Sequence, residues 1–441
     1  MTTAMNGASL DHVRPDLVKA GYGGASNLAF NEQIKKLIAQ GETIYHFGFG
    51  QAPFPVLEVA TEALKKHAGQ NAYLAVNGIP QLREAICKFH EHFDGLTFDP
   101  EDVIVGPGSK ELILLLMTIF DGDIVVNSPS WTTYKPQAML AQHRCHVIDS
   151  REEDGWRVTP EGLKEVIQNN NVSEYKLLIM TNPCNPTSTC YTAEQLKELT
   201  KVFREHNVYV LSDEIYARLH YDGQHQCLAK FYPEGTILST GLSKWASAGG
   251  WRLGYNIFPP QLRSLLSIVR SAGSHSYSCA PAPMQYAFAE AFDNIPACTE
   301  YIQHTTRVMK SVGQFCAREL RTVGVTVVEP TAGYYMFPNF EVIRPALAAR
   351  GVHTGDQMCA LMLKEAKVAV LAGGPAHLRP VEELTVRLCF VNFDGAPGLA
   401  ESRRRGLEEG LGDVFVKEFC TPVYEGITAL KTWVNKLKTE V

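Results

Sequence analysis

The sequence predicts an α/β protein: a large domain on a mostly parallel central sheet flanked by helices, with a smaller α+β domain beside it. Three observations predict it. Short β-branched runs alternate with helix-like segments through the first two-thirds of the chain, as in repeated strand–helix units. Five of those runs lead into polar clusters, at 106–109, 128–131, 182–187, 213–216 and 243–244, and strands of a parallel sheet end on one edge, where ligands bind. The length, 441 residues, exceeds the roughly 250–300 at which one core stops growing, so a second domain is expected.

Taken in order, Asp102–Val105 reads as a strand, followed by Gly106-Pro107-Gly108 and a helix over 110–120. Asp123–Val126, Lys176–Met180, Val208–Ser212 and Thr236–Thr240 read as further strands. The last third changes character. Glu300–Arg321 reads as one long helix, and Val325–Phe337 as strand–turn–strand with the turn at Pro330–Gly333. Met358–Ala366 and Gly398–Leu411 read as helices, Val368–Leu371 and Leu384–Phe390 as strands. The tail from about 425 to 441 is basic and amphipathic, with Ile427, Leu430, Val434 and Leu437 on one helical face, expected to pack on the body or on a partner subunit. The expected division is 58–310 for the large domain, with 1–57 and 311–441 together forming the small one.

Composition narrows the function classes. Lys and Arg total 41 against 47 Asp and Glu, a net charge of −6, which lacks the basic footprint of a nucleic-acid binder. Apolar runs such as Leu112–Met117 fall far short of the ~20 residues that span a bilayer, and the first ten residues have no secretory-signal pattern. Eleven scattered cysteines without a C-x-x-C pair read as reduced thiols, so a cytoplasmic location is expected. His143 and His146 have no third ligand nearby, and no metal site is expected.

The chemistry gathers around Lys244, which follows an apolar strand among small residues. Desolvation lowers a lysine's pKa and makes it an imine-forming nucleophile. Arg252, past a glycine-rich turn, offers a planar fork suited to a phosphate dianion. Taken alone, the two are equally well explained as surface charges. Three other segments shift the balance. Asp213 ends an apolar strand, and a buried carboxylate needs a cationic partner; a pyridinium nitrogen would serve, its ring then acting as an electron sink. Tyr216, three residues on, and Asn185 in the rigid Asn182–Ser188 turn could both reach that ring's phenolic oxygen. Gly108-Ser109-Lys110 opens a helix whose free amides bind phosphate.

These residues together resemble the class I/II aminotransferases, pyridoxal-phosphate (PLP) enzymes of fold type I. The likeness covers roughly Ser26–Gly410. It rests on Asn-Pro-Cys-Asn-Pro-Thr at 182–187, Asp-Glu-Ile-Tyr at 213–216, Ser243-Lys244 with Gly250-Trp-Arg252-Leu-Gly254, the block Asn71–Arg83, and Arg387 in Val-Arg-Leu-Cys-Phe. The resemblance implies that Lys244 binds PLP as a Schiff base and carries the proton between substrate and cofactor. Asp213 would pair with the pyridine nitrogen; Asn185 and Tyr216 would bond the ring oxygen. Trp131 would stack on the ring. Gly108, Ser109, Lys110, Ser243 and Arg252 would surround the phosphate, and Tyr73 would reach the neighbouring subunit's phosphate in a homodimer. Arg387 would clamp the substrate carboxylate, helped by Asn185 and the amide of Gly50. Cis bonds are implied at Ser128–Pro129 and Asn185–Pro186. The implied activity is ping-pong transfer of an amino group between an L-amino acid and a 2-oxo acid such as 2-oxoglutarate.

Several positions depart from the family pattern. Ser188 stands where glycine is usual, Gln51-Ala52 replaces Glu-Pro, and Gly249-Gly250 loosens the loop before Trp251. Lys110 matches a lysine that bacterial-type aspartate aminotransferases use to meet a distal carboxylate, so an aspartate-type donor is the first expectation. An aromatic or kynurenine-type donor is the alternative, with Phe47, Phe49, Tyr277 and Tyr335 as pocket walls. PLP-dependent β-lyases and cyclopropane-forming synthases share the same lysine, aspartate and arginine. Cys184 and Cys389 adjoin site residues without an assigned role.

Overall fold

The computed structural model describes residues 12–24 and 26–440. Residues 1–11, Ala25 and Val441, which the expected small domain and tail include, lie outside the described residues. A seven-stranded sheet forms the centre, in the order Val103–Gly106, Gly254–Ile257, Thr236–Gly241, Val208–Asp213, Lys176–Thr181, Asp123–Ser128, Cys145–Asp149. Only Gly254–Ile257 runs antiparallel to its neighbours. Side chains alternate between the two faces. Leu177 and Ile179 pack under the helices Ser109–Ile119 and Arg263–Ser276, while Leu178 and Met180 pack under Pro160–Asn169 and Ala193–Glu205. Both faces are covered, which is why these strands read as continuous apolar runs rather than alternating ones. Ala193–Glu205 starts at a capping box in which Thr192 and Gln195 exchange hydrogen bonds.

This topology places the five polar clusters on one edge. Gly106, Ser128, Thr181, Asp213 and Gly241 are all C-terminal strand ends, and the antiparallel Gly254–Ile257 enters from that same edge, bringing Arg252 with it.

The long helix is observed over Ile295–Arg321, capped by the Asn294 side chain. Beyond it lies a three-stranded antiparallel sheet, Leu371–Ala372, Val386–Cys389 and Tyr335–Met336. The N-terminal Tyr45–His46 pairs in parallel with Val368–Ala369. Three expectations differ from the structure. Val325–Phe337 is not a full strand–turn–strand: Thr326 makes a single antiparallel bridge to Asn339, while Thr331 bonds to Ser188 and Tyr221 and Gly333 to Leu219, leaving Tyr335–Met336 as the only strand there. The single strand at 368–371 is two, because Val370 marks a switch between sheets. The helix expected at 398–411 runs over Gly395–Arg405, started by the Asp394 side chain and stopped at left-handed Gly406, φ 69°.

The C-terminal helix spans Thr421–Lys438 and packs on the body. Val423, Ile427, Leu430, Val434 and Leu437 are fully buried against Ile295–Arg321 and Gly355–Ala366, and Trp433 Nε1 donates to Glu365 across 2.9 Å. None of the helices among the described residues is long and apolar enough to cross a membrane.

Candidate active site

Arg387 is the largest fully buried side chain, and among the described residues it has no carboxylate partner. It points from the three-stranded sheet, where the residues opposite one another, Cys389 and Tyr335, share its face. One terminal nitrogen donates to Gly48 O across 2.8 Å, its guanidinium lies 5.2 Å from the centre of the Tyr335 ring, and its Nε has no partner. An unpaired buried cation is costly unless an anion joins it.

Lys244 Nζ donates to Gly50 O, two residues along the same segment, across 3.1 Å. It lies 5.6 Å from the Tyr216 ring centre and 5.9 Å from that of Tyr334. Burial pulls its pKa down to about 8; the Arg387 and Lys110 charges push the same way, while Cys389 and Asp213 oppose them. Tyr334 Oη also donates to the Gly50 carbonyl, across 3.3 Å; the Gly50 amide, expected to help hold the substrate carboxylate, lies on the same segment.

Asp213 is buried at its strand end. Tyr134 Oη donates to its Oδ2 across 2.6 Å and the Ile215 amide to its Oδ1 across 3.3 Å. Burial raises the carboxyl to about 6 against those hydrogen bonds. Tyr134 was not singled out from the sequence. Its position three residues after Trp131, at the start of the helix Tyr134–Leu140, was the available signal. Tyr216 is buried, its hydroxyl 3.0 Å from that of Tyr335. Asn185 is buried with its Oδ1 unpartnered, a polar atom that lacks its hydrogen bond.

At the helix N-terminus, a Cβ at Gly108 would fall 2.2 Å from an Arg252 terminal nitrogen, and one at Gly254 would fall 2.4 Å from the Ser109 amide. Only glycine lets Arg252 approach this close. Arg252 donates to Gly249 O at 2.8 Å and Pro107 O at 3.2 Å, and has no acidic partner among the described residues. Lys110 Nζ sits 5.0 Å from the Trp131 ring centre, its pKa lowered by burial and then by Arg252. Arg252 and the free amides of this helix N-terminus are groups that could hold an anion, while the Lys110 ammonium lies over Trp131. Ser243 lies half-buried on the lysine turn.

Cis peptides occur at Ser128–Pro129 and Asn185–Pro186 as expected, and also at Asn182–Pro183. Tyr73 is 90% exposed and makes no contact with the site within the chain. Phe47, expected on the pocket wall, is fully buried in the core, where it fills the space beside Gly426 of the C-terminal helix. Burial pushes the Cys389 thiol up to about 12 and raises Cys184 too, so both are protonated and poor nucleophiles. His143 is spent on the carbonyls of Gly122 and Met117, and His146 on Asp123. No group of three metal-ligating side chains occurs among the described residues.

The family model for aminotransferases of class I and II matches residues 42–395. The aspartate aminotransferase of Geobacillus stearothermophilus is 32% identical over 360 residues, 79% of this chain and 88% of that protein. The aspartate/prephenate aminotransferase of Thermus thermophilus is 28% identical over 354 residues, with the same coverage of 79% and 88%. Among solved structures, the Thermus thermophilus aspartate aminotransferase with maleate superposes with a TM-score of 0.76 at 26% identity, covering 89% of this chain and 98% of that one.

Proposed function

The chain belongs to the class I and II aminotransferase family and is a PLP-dependent transaminase, and from that premise we propose how its own residues divide the work and that aspartate is its donor, with a 2-oxo acid such as 2-oxoglutarate as acceptor. The observation that carries this is the buried Arg387 without a carboxylate partner, hydrogen-bonded to the same short segment, Gly48 to Gly50, as the desolvated Lys244.

The side chains fit PLP. Arg252, Ser109, Ser243 and the amides after Gly108 would hold the phosphate; Asp213 would meet the ring nitrogen; the amide nitrogen of buried Asn185 and the hydroxyl of Tyr216 would donate to the ring oxygen; Trp131 would cover a face. When bound, PLP supplies an aldehyde that captures the amino group and a ring that accepts the electron pair left at Cα. Every other part of the reaction belongs to the chain. Arg387 binds the α-carboxylate bidentately and so aims the Cα–H bond. Lys244, with a pKa of about 8, is partly neutral near neutral pH, and Gly50 O holds its Nζ in place to take the Cα proton and return it. Asp213, carboxylate above about pH 6, keeps a negative charge at the ring nitrogen. Tyr335, Tyr334 and Tyr216 wall this space with aromatic rings and exclude water from the proton path.

Lys110 favours an acidic donor: its half-buried ammonium has no ion pair among the described residues and faces the Trp131 side of the site. The aromatic alternative loses Phe47 as a wall. Exposed Tyr73 supports a homodimer in which this side chain enters the neighbouring site. The same reading keeps 58–310 as the cofactor domain and a cytoplasmic location. A panel of amino donors with 2-oxoglutarate, followed by the absorbance of the bound cofactor, tests it; a spectrum unchanged by every amino acid, or turnover of aromatic donors without aspartate, would reject the assignment.

A further inference from the structure

Ser188 carries no role in the scheme above, yet its geometry is unusual. Its backbone is left-handed, φ 54°, a conformation unfavourable for any residue with a Cβ, and it is buried. Such an outlier persists only where surrounding bonds hold it. Here three do. The Ser188 amide donates to Cys184 O across 2.8 Å, closing the turn that bears Asn185. Its carbonyl accepts from the Thr331 amide at 3.1 Å. Its Oγ accepts from the backbone amide of Tyr335 at 3.0 Å. One buried residue thus ties the Asn185 turn to the strand Tyr335–Met336.

Tyr335 is the element that this tie holds. Its hydroxyl pairs with Tyr216 at 3.0 Å, its ring lies 5.2 Å from the Arg387 guanidinium, and its hydroxyl fills the space above Gly50, where a Cβ would come within 1.9 Å. It stands between the tyrosine beside Lys244 and the arginine assigned to the substrate carboxylate. A glycine at 188 would relax the backbone and forgo the side-chain bond; serine accepts the strain and makes it.

We propose that Ser188 is a positioning residue for substrate binding: by holding the Tyr335 amide through its Oγ, it fixes the ring that backs Arg387 and so sets the pose of the amino acid's α-carboxylate. This rests on the reading of Arg387 as the carboxylate clamp. The strand pairing of Tyr335 with Cys389 survives without the bond, so the ring is loosened rather than lost.

The test uses Ser188→Gly and Ser188→Ala as holoenzymes. Loss of one buried neutral hydrogen bond should raise the donor KM, and the Kd of unreactive maleate, about fivefold in both, with kcat and cofactor affinity within about twofold of wild type. Hydrogen exchange at the Tyr335 amide should quicken by a similar factor while the flanking residues stay protected. Ser188→Gly should be at least as heat-stable as Ser188→Ala, because glycine tolerates the positive φ. Wild-type KM, maleate affinity and Tyr335 protection in Ser188→Gly would overturn the proposal. So would a joint loss of kcat, cofactor affinity and maleate binding, which marks a purely structural role. A wild-type protein without transaminase activity would strike the functional reading instead, and maleate affinity together with Tyr335 exchange would still decide this one.

Discussion

Tyr134→Phe removes a hydroxyl that donates to Asp213 Oδ2 across 2.6 Å and replaces ring with ring in a fully buried site. Burial holds the Asp213 carboxyl at about 6, above its ordinary 3.8, with that hydroxyl as the main opposing influence. A hydrogen bond to a charged acceptor contributes about 1.5–3 kcal/mol, and about 1.4 kcal/mol is one pKa unit, so the carboxyl should climb a further ~1–2 units, to about 7–8. The folded-state pKa lies above the unfolded one. The stability that this group contributes is therefore fully present below about pH 4 and lost as pH rises through the folded value. For the cofactor-free wild type the loss runs from about pH 4 to 6 and amounts to roughly 3 kcal/mol. In the variant it continues to about pH 7–8. Thr181 Oγ1, which pairs with the same hydroxyl at 2.8 Å, also loses a partner, but that cost does not vary with pH and separates cleanly. Thermal unfolding of the cofactor-free protein across this range, with the carboxyl followed by difference infrared spectroscopy, reads both quantities. Cofactor affinity near neutral pH should fall in the variant and recover in more alkaline buffer as Asp213 ionises. Unfolding profiles of variant and wild type that superpose between about pH 6 and 8 would refute the reasoning.

Other consequences are as direct. Lys244→Ala should lose the visible band of the lysine-linked cofactor and nearly all turnover, checked by spectrum and coupled assay. Lys110→Ala should lower kcat/KM for aspartate by about tenfold or more while sparing aromatic donors, the loss expected for one charge-assisted contact. Alkylating agents at about pH 8 should leave Cys389 unmodified, as peptide mass mapping would show, because its thiol stays protonated up to about pH 12. Leu430→Ala, in the buried face of the C-terminal helix, should destabilise by about 2–5 kcal/mol in denaturant melts without altering KM.

Much of this molecule is legible in its sequence because the signals are local. Fully covered parallel strands require continuous apolar runs, so Lys176–Met180 and Val208–Ser212 are visible by composition alone. Buried charges need special neighbours, so Lys244 and Asp213 stand out at strand ends. The five polar clusters announce a shared edge once the strands are known to run parallel. The i, i+3, i+4 spacing of Ile427, Leu430, Val434 and Leu437 likewise marks the tail helix before its partner is seen. The short segments of the last third are less legible. Val325–Phe337 has strand-like residues, but beyond one bridge from Thr326 to Asn339 its turn bonds to Ser188, Leu219 and Tyr221, a choice set by tertiary neighbours rather than by propensity.

By itself, then, the sequence determined the α/β class, the strand ends and the identity of the chemical groups. Those follow from burial patterns and side-chain chemistry carried in a few neighbouring residues. Only the tertiary structure decided which groups touch. It joined Tyr134 to Asp213, set the Gly50 carbonyl against Lys244, sent Phe47 into the core, and tied Ser188 to Tyr335. The reason is physical: a hydrogen bond depends on tenths of an ångström between residues that can lie 339 positions apart, as Arg387 and Gly48 do, and no local pattern encodes that distance.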